Sequence, residues 1–482
     1  MRNRFFILLT FFITFASFIH AQILISEQDA VREAVENNLS VSILKLEQHK
    51  AFLAKENLHS QWLPQLSLNL QQDFIPYNNF AESSSNWVKD SEQLSETGLN
   101  FSIQQALPGG GKVFSEFHTK RTDALGTNSV LYNSGGSVNF LQPLLQNAWG
   151  NDPVKSSIYT QTLDQKQLTL SQKRTIISII SETRKQYWNL FENQALIRLY
   201  EKQREYSAKR LEADREKLAI GLATPMDTLN AALSFMKSTT EIMRLEGDMV
   251  VAHKEFANVL GRDTLDVVFS LTDSISFYSL FPTEELIEQA KKFDPQLDIL
   301  QVMHDKLLHE QSRARNQLLP ELDFQAGYGY DGINSKFFGD NQNYNQNLVF
   351  SLIAGYSLPI RNKKNQVKSK ELEIEENRIQ KKQLVNELRI KIDELRTAWE
   401  KELAMLDVLQ KTKEIADKQL EAAQAGYNLG TIDRLSLVDA ENSFLSASID
   451  LLRSQLTMKR ILIVVEEVTG TVLERFGVAI NE

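Results

Sequence analysis

Two stretches of this chain run without glycine or proline for far longer than an ordinary globular helix. Val154–Ile220 covers 67 residues and Asn362–Ala425 covers 64. Runs of that length predict very long helices, as in coiled coils. At 1.5 Å per residue, each would reach roughly 100 Å if unbroken. In the second run Leu388, Ile392, Leu395, Trp399, Leu403, Leu406 and Leu409 recur every three or four residues as a heptad-like seam. Ile390, Met405 and Val408 lie off that seam. The helix is therefore expected to have neighbours on two sides, as in a cylinder of helices.

Between the helices the hydrophobic period drops to two. In "LPELDFQAGYGY" (319–330), Leu322, Phe324, Ala326, Tyr328 and Tyr330 alternate with Asp323, Gln325, Gly327 and Gly329. "LPQLSLNLQQDF" (63–74) does the same, as do Leu348–Leu358, Leu99–Ile103 and Val138–Phe140. A half-buried sheet on a soluble core alternates identically. The aromatic residues on the apolar side, together with the export signal described below, favour membrane strands. The polar stretches "NNFAESSSNWVKDSEQ" and "DGINSKFFGDNQNYNQN" read as water-exposed loops. Four strands are clear, and six if Lys112–Thr122 pairs after the "PGGGK" turn; the balance leans slightly toward the added pair. Either number falls short of the eight strands of the smallest single-chain barrels. An open edge cannot face lipid, so such a sheet must close with other copies.

Arg2 and Arg4 precede the apolar run Phe5–Ile19 and the residues His20-Ala21-Gln22. This is the layout of a secretory signal over residues 1–21. The run is too short for a spanning helix. A net charge of −9 argues against nucleic acid as a partner. The chain has no cysteine, which excludes disulfides, thiol catalysis and cysteine metal sites. "GGGK" (109–112) lacks the spacing of a phosphate loop, and "HEQSR" (309–313) lacks the second histidine of a zinc-protease helix. His304 and His309 are five apart and make a poor metal pair. No catalytic constellation, metal site or cofactor is expected, and the chain reads as a non-enzyme.

The chain is a tandem duplication. Ile25–Leu66 aligns without a gap with Phe281–Leu322, and "IGLATPMDTLNAALSF" (220–235) aligns with "LGTIDRLSLVDAENSF" (429–444). The first repeat, 22–280, holds a helix opened by the capping pair Ser26 and Asp29, strands about 64–145, a long helix 152–220 and a returning helix 226–260. The second, 281–482, holds a helix, strands about 320–360, a long helix 362–427 and a returning helix 433–468.

This layout resembles the TolC family of outer-membrane efflux and secretion channels. The resemblance is carried by "SEQDAVREAVENNLSV", "LPQLSL", "LLPELDF", "YSLPI", "IGLATPMD" and "AGYNLGTIDRLSLVDAENSF", and covers essentially the whole mature chain. It implies a mainly α fold with membrane strands: a homotrimer whose long coiled-coil helices form an α-barrel in the periplasm, continuous with a 12-strand β-barrel in outer-membrane lipid. It also implies a passive duct, without chemistry of its own, that docks a periplasmic adaptor and an inner-membrane pump in an efflux or type I secretion system. The family closes its periplasmic end with a gate. Carried over by position, Asp439 matches one gate aspartate, Ser436 stands in place of the other, and Tyr427 matches the gate tyrosine. Asp227 matches the first-repeat aspartate. Ile432 stands where a gate-pairing arginine is often found, so that link is expected to be missing. Gly221, Leu222, Gly430 and Thr431 match the turns that face the adaptor. The rival reading is a periplasmic or surface coiled-coil scaffold without a pore.

Overall fold

The computed structural model describes residues 22–83, 86–125, 129–221, 223–263, 267–278, 280, 282–334 and 344–478. The expected signal, residues 1–21, lies outside them. The elements run β1 (Gln22–Ile25), α1 (Glu27–Asn37), α2 (Leu39–His59), β2 (Gln65–Ser83), β3 (Asn86–Ala106), β4 (Lys112–Leu125), β5 (Ser129–Pro143), α3 (Pro153–Ala219) and α4 (Pro225–Val259). The second repeat follows with β6 (Val268–Leu271), α5 (Thr283–Phe293), α6 (Pro295–Asn316), β7 (Glu321–Asn334), β8 (Tyr344–Gly355), α7 (Ile360–Asn428), α8 (Arg434–Thr469) and the short α9 (Val472–Phe476). No helix among the described residues is long and apolar enough to cross a membrane. The chain forms two compact units, each drawn from both repeats: 1–45, 170–298 and 382–482 in one, 46–169 and 299–381 in the other.

The second unit holds a six-stranded antiparallel sheet in the order β2-β3-β4-β5-β7-β8. Lys112–Thr122 is therefore paired strand, and the sheet has six strands among the described residues where the resemblance implies four. The turn that permits this has Gly109 and Gly110 at φ 95° and 83°, with the Leu107 N–H donating to the Gly111 carbonyl at 2.7 Å. The alternation predicted from the sequence segregates to the two faces. One face carries Leu66, Leu68, Leu70, Tyr328, Leu348 and Phe350, all exposed. The other is mostly polar, with the exposed Leu131, Ile333, Val349 and Ile353 interrupting it. Helix α3 packs beside α2, where Gln165 Nε2 donates to the Ala51 carbonyl at 3.0 Å. His309 is occupied structurally: its Nε2 lies 2.6 Å from Ser156 Oγ and its ring tilts onto Tyr159.

One loop expectation is corrected. Most of "NNFAESSSNWVKDSEQ", residues 78–83 and 86–93, is paired backbone, because β2 and β3 stay in register out to Ser83 opposite Asn86. Alternation marks a strand only where one face is apolar, whereas a polar hairpin pairs through its backbone alone. At 19 and 21 residues, β2 and β3 far exceed the roughly 9–11 needed to cross a bilayer. In the other polar stretch β7 runs to Asn334 and β8 begins at Tyr344, and residues 335–343 lie outside the described set.

In the first unit, β1 pairs in parallel with β6. Ser26 caps α1 by accepting the Asp29 N–H at 3.1 Å. The core gathers Tyr187, Trp188 and Leu190 of α3, Phe256 and Leu260 at the end of α4, Phe269 of β6, and Leu456 and Ile463 of α8. A second cluster buries Ile392, Leu395 and Trp399 of the α7 seam against Met458, Ile461 and Leu462 of α8. The off-seam residues Ile390, Met405 and Val408 stay exposed in the single chain. Within the core, the buried Arg184 guanidinium donates to Glu27 at 2.6 Å and to Glu466, which also accepts from Tyr278 and Arg475.

Candidate functional site

The ends of α3, α4, α7 and α8 carry the residues singled out by sequence. Each long helix ends in a turn with a glycine in the left-handed region, Gly221 at φ 79° and Gly430 at φ 73°. A β-carbon there would be strained whatever the space around it. Thr431 Oγ1 donates to the Gly426 carbonyl at 3.1 Å and tightens the second turn. Leu222 lies outside the described residues.

Past the first turn, Thr224 and Asp227 form a capping box on α4. The Asp227 N–H donates to Thr224 Oγ1 at 3.3 Å, and the Thr224 N–H donates back to Asp227 Oδ2 at 2.8 Å. Past the second, Asp433 caps α8 by accepting the Ser436 N–H at 3.0 Å. Bonds from Thr224, with Arg434 adding a smaller attraction, hold the Asp227 carboxyl below its ordinary range. Bonds from Ser436 do the same for Asp433.

Two of the candidates meet in one cluster. Tyr427 Oη donates to Asp214 Oδ1 at 3.1 Å. Arg434 Nη1 donates to Asp227 Oδ1 at 2.6 Å and lies 3.5 Å from Asp214 Oδ2. The Asp214 side chain is only 2% exposed. Lys217 covers the Tyr427 ring at 4.1 Å. The cluster thus joins the ends of α3 and α7 to the starts of α4 and α8. One turn deeper, Arg210 and Glu441 form a buried ion pair beside a cavity of about 250 Å³, which is also lined by Tyr206, Gln424, Tyr427 and Leu437. Burial pushes the Glu441 carboxyl up, against the opposing pull of Arg210.

Ser436 and Asp439 stand apart from this cluster on the exposed face of α8. Ile432 packs on Gly426 and makes no ion pair. An arginine link nevertheless exists, supplied within the chain by Arg434. Sequence reasoning missed Arg434, Asp214 and the Arg210–Glu441 pair. The signal for Arg434 was available, since it lies two residues past Ile432. Asp214 sits in a dense run of charges on α3 that offers nothing to single it out. Among the described residues no group of acidic and histidine side chains could hold a metal ion.

The chain's similarities agree with this geometry. Residues 286–471, from α5 to just past α8, match the outer membrane efflux protein family. Tyr427, Gly430, Thr431, Ser436 and Asp439 fall inside that match, and Asp227 and Gly221 fall before it. No curated protein is matched by sequence. Among solved structures, the chain is similar to the outer-membrane channel OprN, with a TM-score of 0.68, 13% identity, and coverage of 92% of this chain and 89% of that one. It is similar to the outer membrane protein VceC of Vibrio cholerae, with a TM-score of 0.67, 13% identity, and coverage of 92% and 96%. It is also similar to the CmeC outer membrane channel of Campylobacter jejuni, with a TM-score of 0.67, 13% identity, and coverage of 94% and 89%. The chain carries an outer membrane efflux protein domain and has the fold of the TolC family of outer-membrane channels.

Proposed function

We propose that the protein is a passive outer-membrane duct, a homotrimer that receives substrates from a periplasmic adaptor and an inner-membrane pump and releases them outside the cell. The observation that carries this reading is the six-stranded sheet. One face is largely apolar and exposed, and both edges, β2 and β8, are unpaired among the described residues. Such a sheet has no stable place in water, where that face would invite aggregation. It has none in lipid either unless its edges close, since each unpaired backbone group there costs several kcal/mol. Further copies of the chain satisfy both demands. The exposed apolar residues Ile390, Met405 and Val408 on α7 fit the same account, as contacts with a neighbouring copy. A pore-free scaffold gives no role to the apolar sheet face.

Within this reading the cluster at the helix ends is the gate. Asp439, Ser436, Tyr427 and Asp227 form or support the constriction, and Gly221, Leu222, Gly430 and Thr431 form the adaptor-facing turns. The duct moves solutes without chemistry of its own and needs no cofactor. The deciding experiment is planar-bilayer recording on purified protein whose mass in detergent is known. Discrete conductance steps from a trimer support the duct; a water-soluble, non-conducting protein overturns it.

A further inference from the structure

We propose that the β4–β5 hairpin is part of the barrel wall, so that three copies close an 18-stranded barrel (3 × 6) rather than the 12-stranded one that the family resemblance implies. This inference rests on the trimeric duct proposed above. The alternative is that the extra hairpin lies outside a 12-stranded ring, as a flap or loop elaboration.

Two facing glycines decide between these. In β5, Gly135 and Gly136 are consecutive, so they point to opposite faces of the sheet. On the polar face, His118 of β4 and Asp331 of β7 sit on either side of Gly135 in the register. They meet over it, His118 Nε2 lying 3.0 Å from Asp331 Oδ1. A β-carbon at 135 would fall 2.1 Å from that oxygen and 2.8 Å from the His118 ring. On the apolar face, Phe117 of β4 and Tyr330 of β7 flank Gly136 in the same way. A β-carbon there would fall 2.8 Å from the Phe117 ring and 3.2 Å from the Tyr330 ring. The absence of side chains at both positions lets the added hairpin reach over its own second strand, on both faces, to a strand of the other repeat. A flap would have no use for such contacts.

The hairpin also continues the character of each face. Phe117 stacks on Phe101 of β3 on the apolar side, with centroids 6.4 Å apart. On the polar side Glu116 accepts from Asn100 at 2.6 Å and Lys120 pairs with Glu96 at 2.6 Å. Strand β2 leaves the end of α2 and β8 returns toward α7, so the two edges run in opposite directions. An even number of strands therefore lets β8 of one copy pair antiparallel with β2 of the next, and six does this as well as four. Because barrel diameter grows roughly linearly with strand number, the outer-membrane pore would be about 1.5-fold wider than a 12-stranded one of equal tilt. Glu116, His118 and Lys120 would line it.

The chain has no cysteine, so single-cysteine labelling in proteoliposomes reads each face directly. Phe117→Cys should react with a membrane-impermeant maleimide about tenfold or more slowly than His118→Cys, because the thiolate forms only where water reaches. Ser115→Cys and Glu116→Cys, with gentler side-chain changes, should repeat the contrast, and Tyr328→Cys marks lipid-facing wall on either strand count. Equal, fast labelling at 115–118 with Tyr328→Cys protected would overturn the 18-stranded wall and leave the duct standing. Fast labelling of Tyr328→Cys as well would overturn the duct itself. Imaging of the trimer in nanodiscs should then show 18 strands in cross-section, and a ring of 12 with density outside it would refute the proposal.

Discussion

Arg434, in the first turn of α8, reaches across to Asp227, which completes the capping box of the other repeat's returning helix, at 2.6 Å, and to the buried Asp214 at 3.5 Å. One guanidinium thus bridges the two helical hairpins of a single chain at their turns. Replacing it by alanine leaves Asp214 buried with only the Tyr427 hydroxyl for a partner. The expected cost is about 2–4 kcal/mol of local stability, the range for stripping one member from a largely buried charge pair. If these turns close the duct, Arg434→Ala should raise single-channel conductance or open probability in planar bilayers. Arg434→Lys should recover part of the closure, because one nitrogen, Nη1, makes both contacts and an ammonium puts the same charge on a single nitrogen. Unchanged channel behaviour in both variants would remove the clamp from the gate.

Asp439 makes the opposite prediction. It is exposed and outside the clamp, so Asp439→Asn should leave thermal stability within about 0.5 kcal/mol. A ring of three such carboxylates at a constriction favours cations. The variant should therefore shift the reversal potential in a salt gradient toward weaker cation preference, and Ser436→Asp should strengthen it. An unmoved reversal potential in both would mean that this face of α8 does not line the narrowest point.

The parts of the fold that could be read from sequence are those whose physics is local. A run without breakers extends a helix wherever it lies, and alternation at Leu322–Tyr330 or Leu348–Leu358 shows which side of a strand is apolar. Strand β4 was harder to read because its row on the apolar face includes Ser115 and Thr119, and its row on the polar face is charged at Glu116, His118 and Lys120. Only its neighbours β3 and β5 place it in the sheet. The outer parts of β2 and β3 were hidden for a related reason, since polar residues paired through backbone alone leave no periodic trace. At the helix ends the motif positions of Tyr427 and Asp227 were legible, but their partner was not. Position 432 holds isoleucine where the resemblance implies an arginine, and whether Arg434 could serve depended on where Asp214 and Asp227 came to lie, which no local pattern records.

Arg184 holds the core of the helical unit through charge rather than packing alone. It is almost fully buried, donating to Glu27 at the start of α1 and to Glu466 near the end of α8, with Phe476 lying 5.2 Å beneath its guanidinium. Arg184→Ala would leave the Glu27 carboxylate without its ion-pair partner and take from Glu466 one of its two arginines, Arg475 remaining, at an expected cost of about 3–5 kcal/mol. Arg184→Met, of similar volume, should lose nearly as much, because the missing quantity is charge. Rescue should come instead from Arg184→Met combined with Glu466→Gln and Glu27→Gln. Denaturant midpoints of the four proteins test this, and an Arg184→Met variant as stable as wild type would show that packing carries the site.

His253 gives the helical unit a predicted acid limb. Its Nδ1 accepts the Phe269 N–H at 3.2 Å, which requires the unprotonated nitrogen, and its ring stacks on Phe269. Burial pushes its pKa below the ordinary 6.5. A group depressed on folding contributes stability that is complete above its unfolded value and is lost as pH falls toward the folded one. Unfolding midpoints should therefore be flat from about pH 8 to 7 and decline below about 6.5. Burial depresses His309 as well, so it adds to the same decline, and the contribution of His253 is the difference between wild type and variant. His253→Leu leaves the Phe269 N–H without its acceptor, so at pH 8 it should be less stable by about 1–3 kcal/mol. That deficit should shrink steadily between pH 6.5 and 5, as wild type loses what the variant never had. A deficit constant across that range would mean that folding does not shift the imidazole, which would then take up its proton as readily in the folded chain as in the unfolded one.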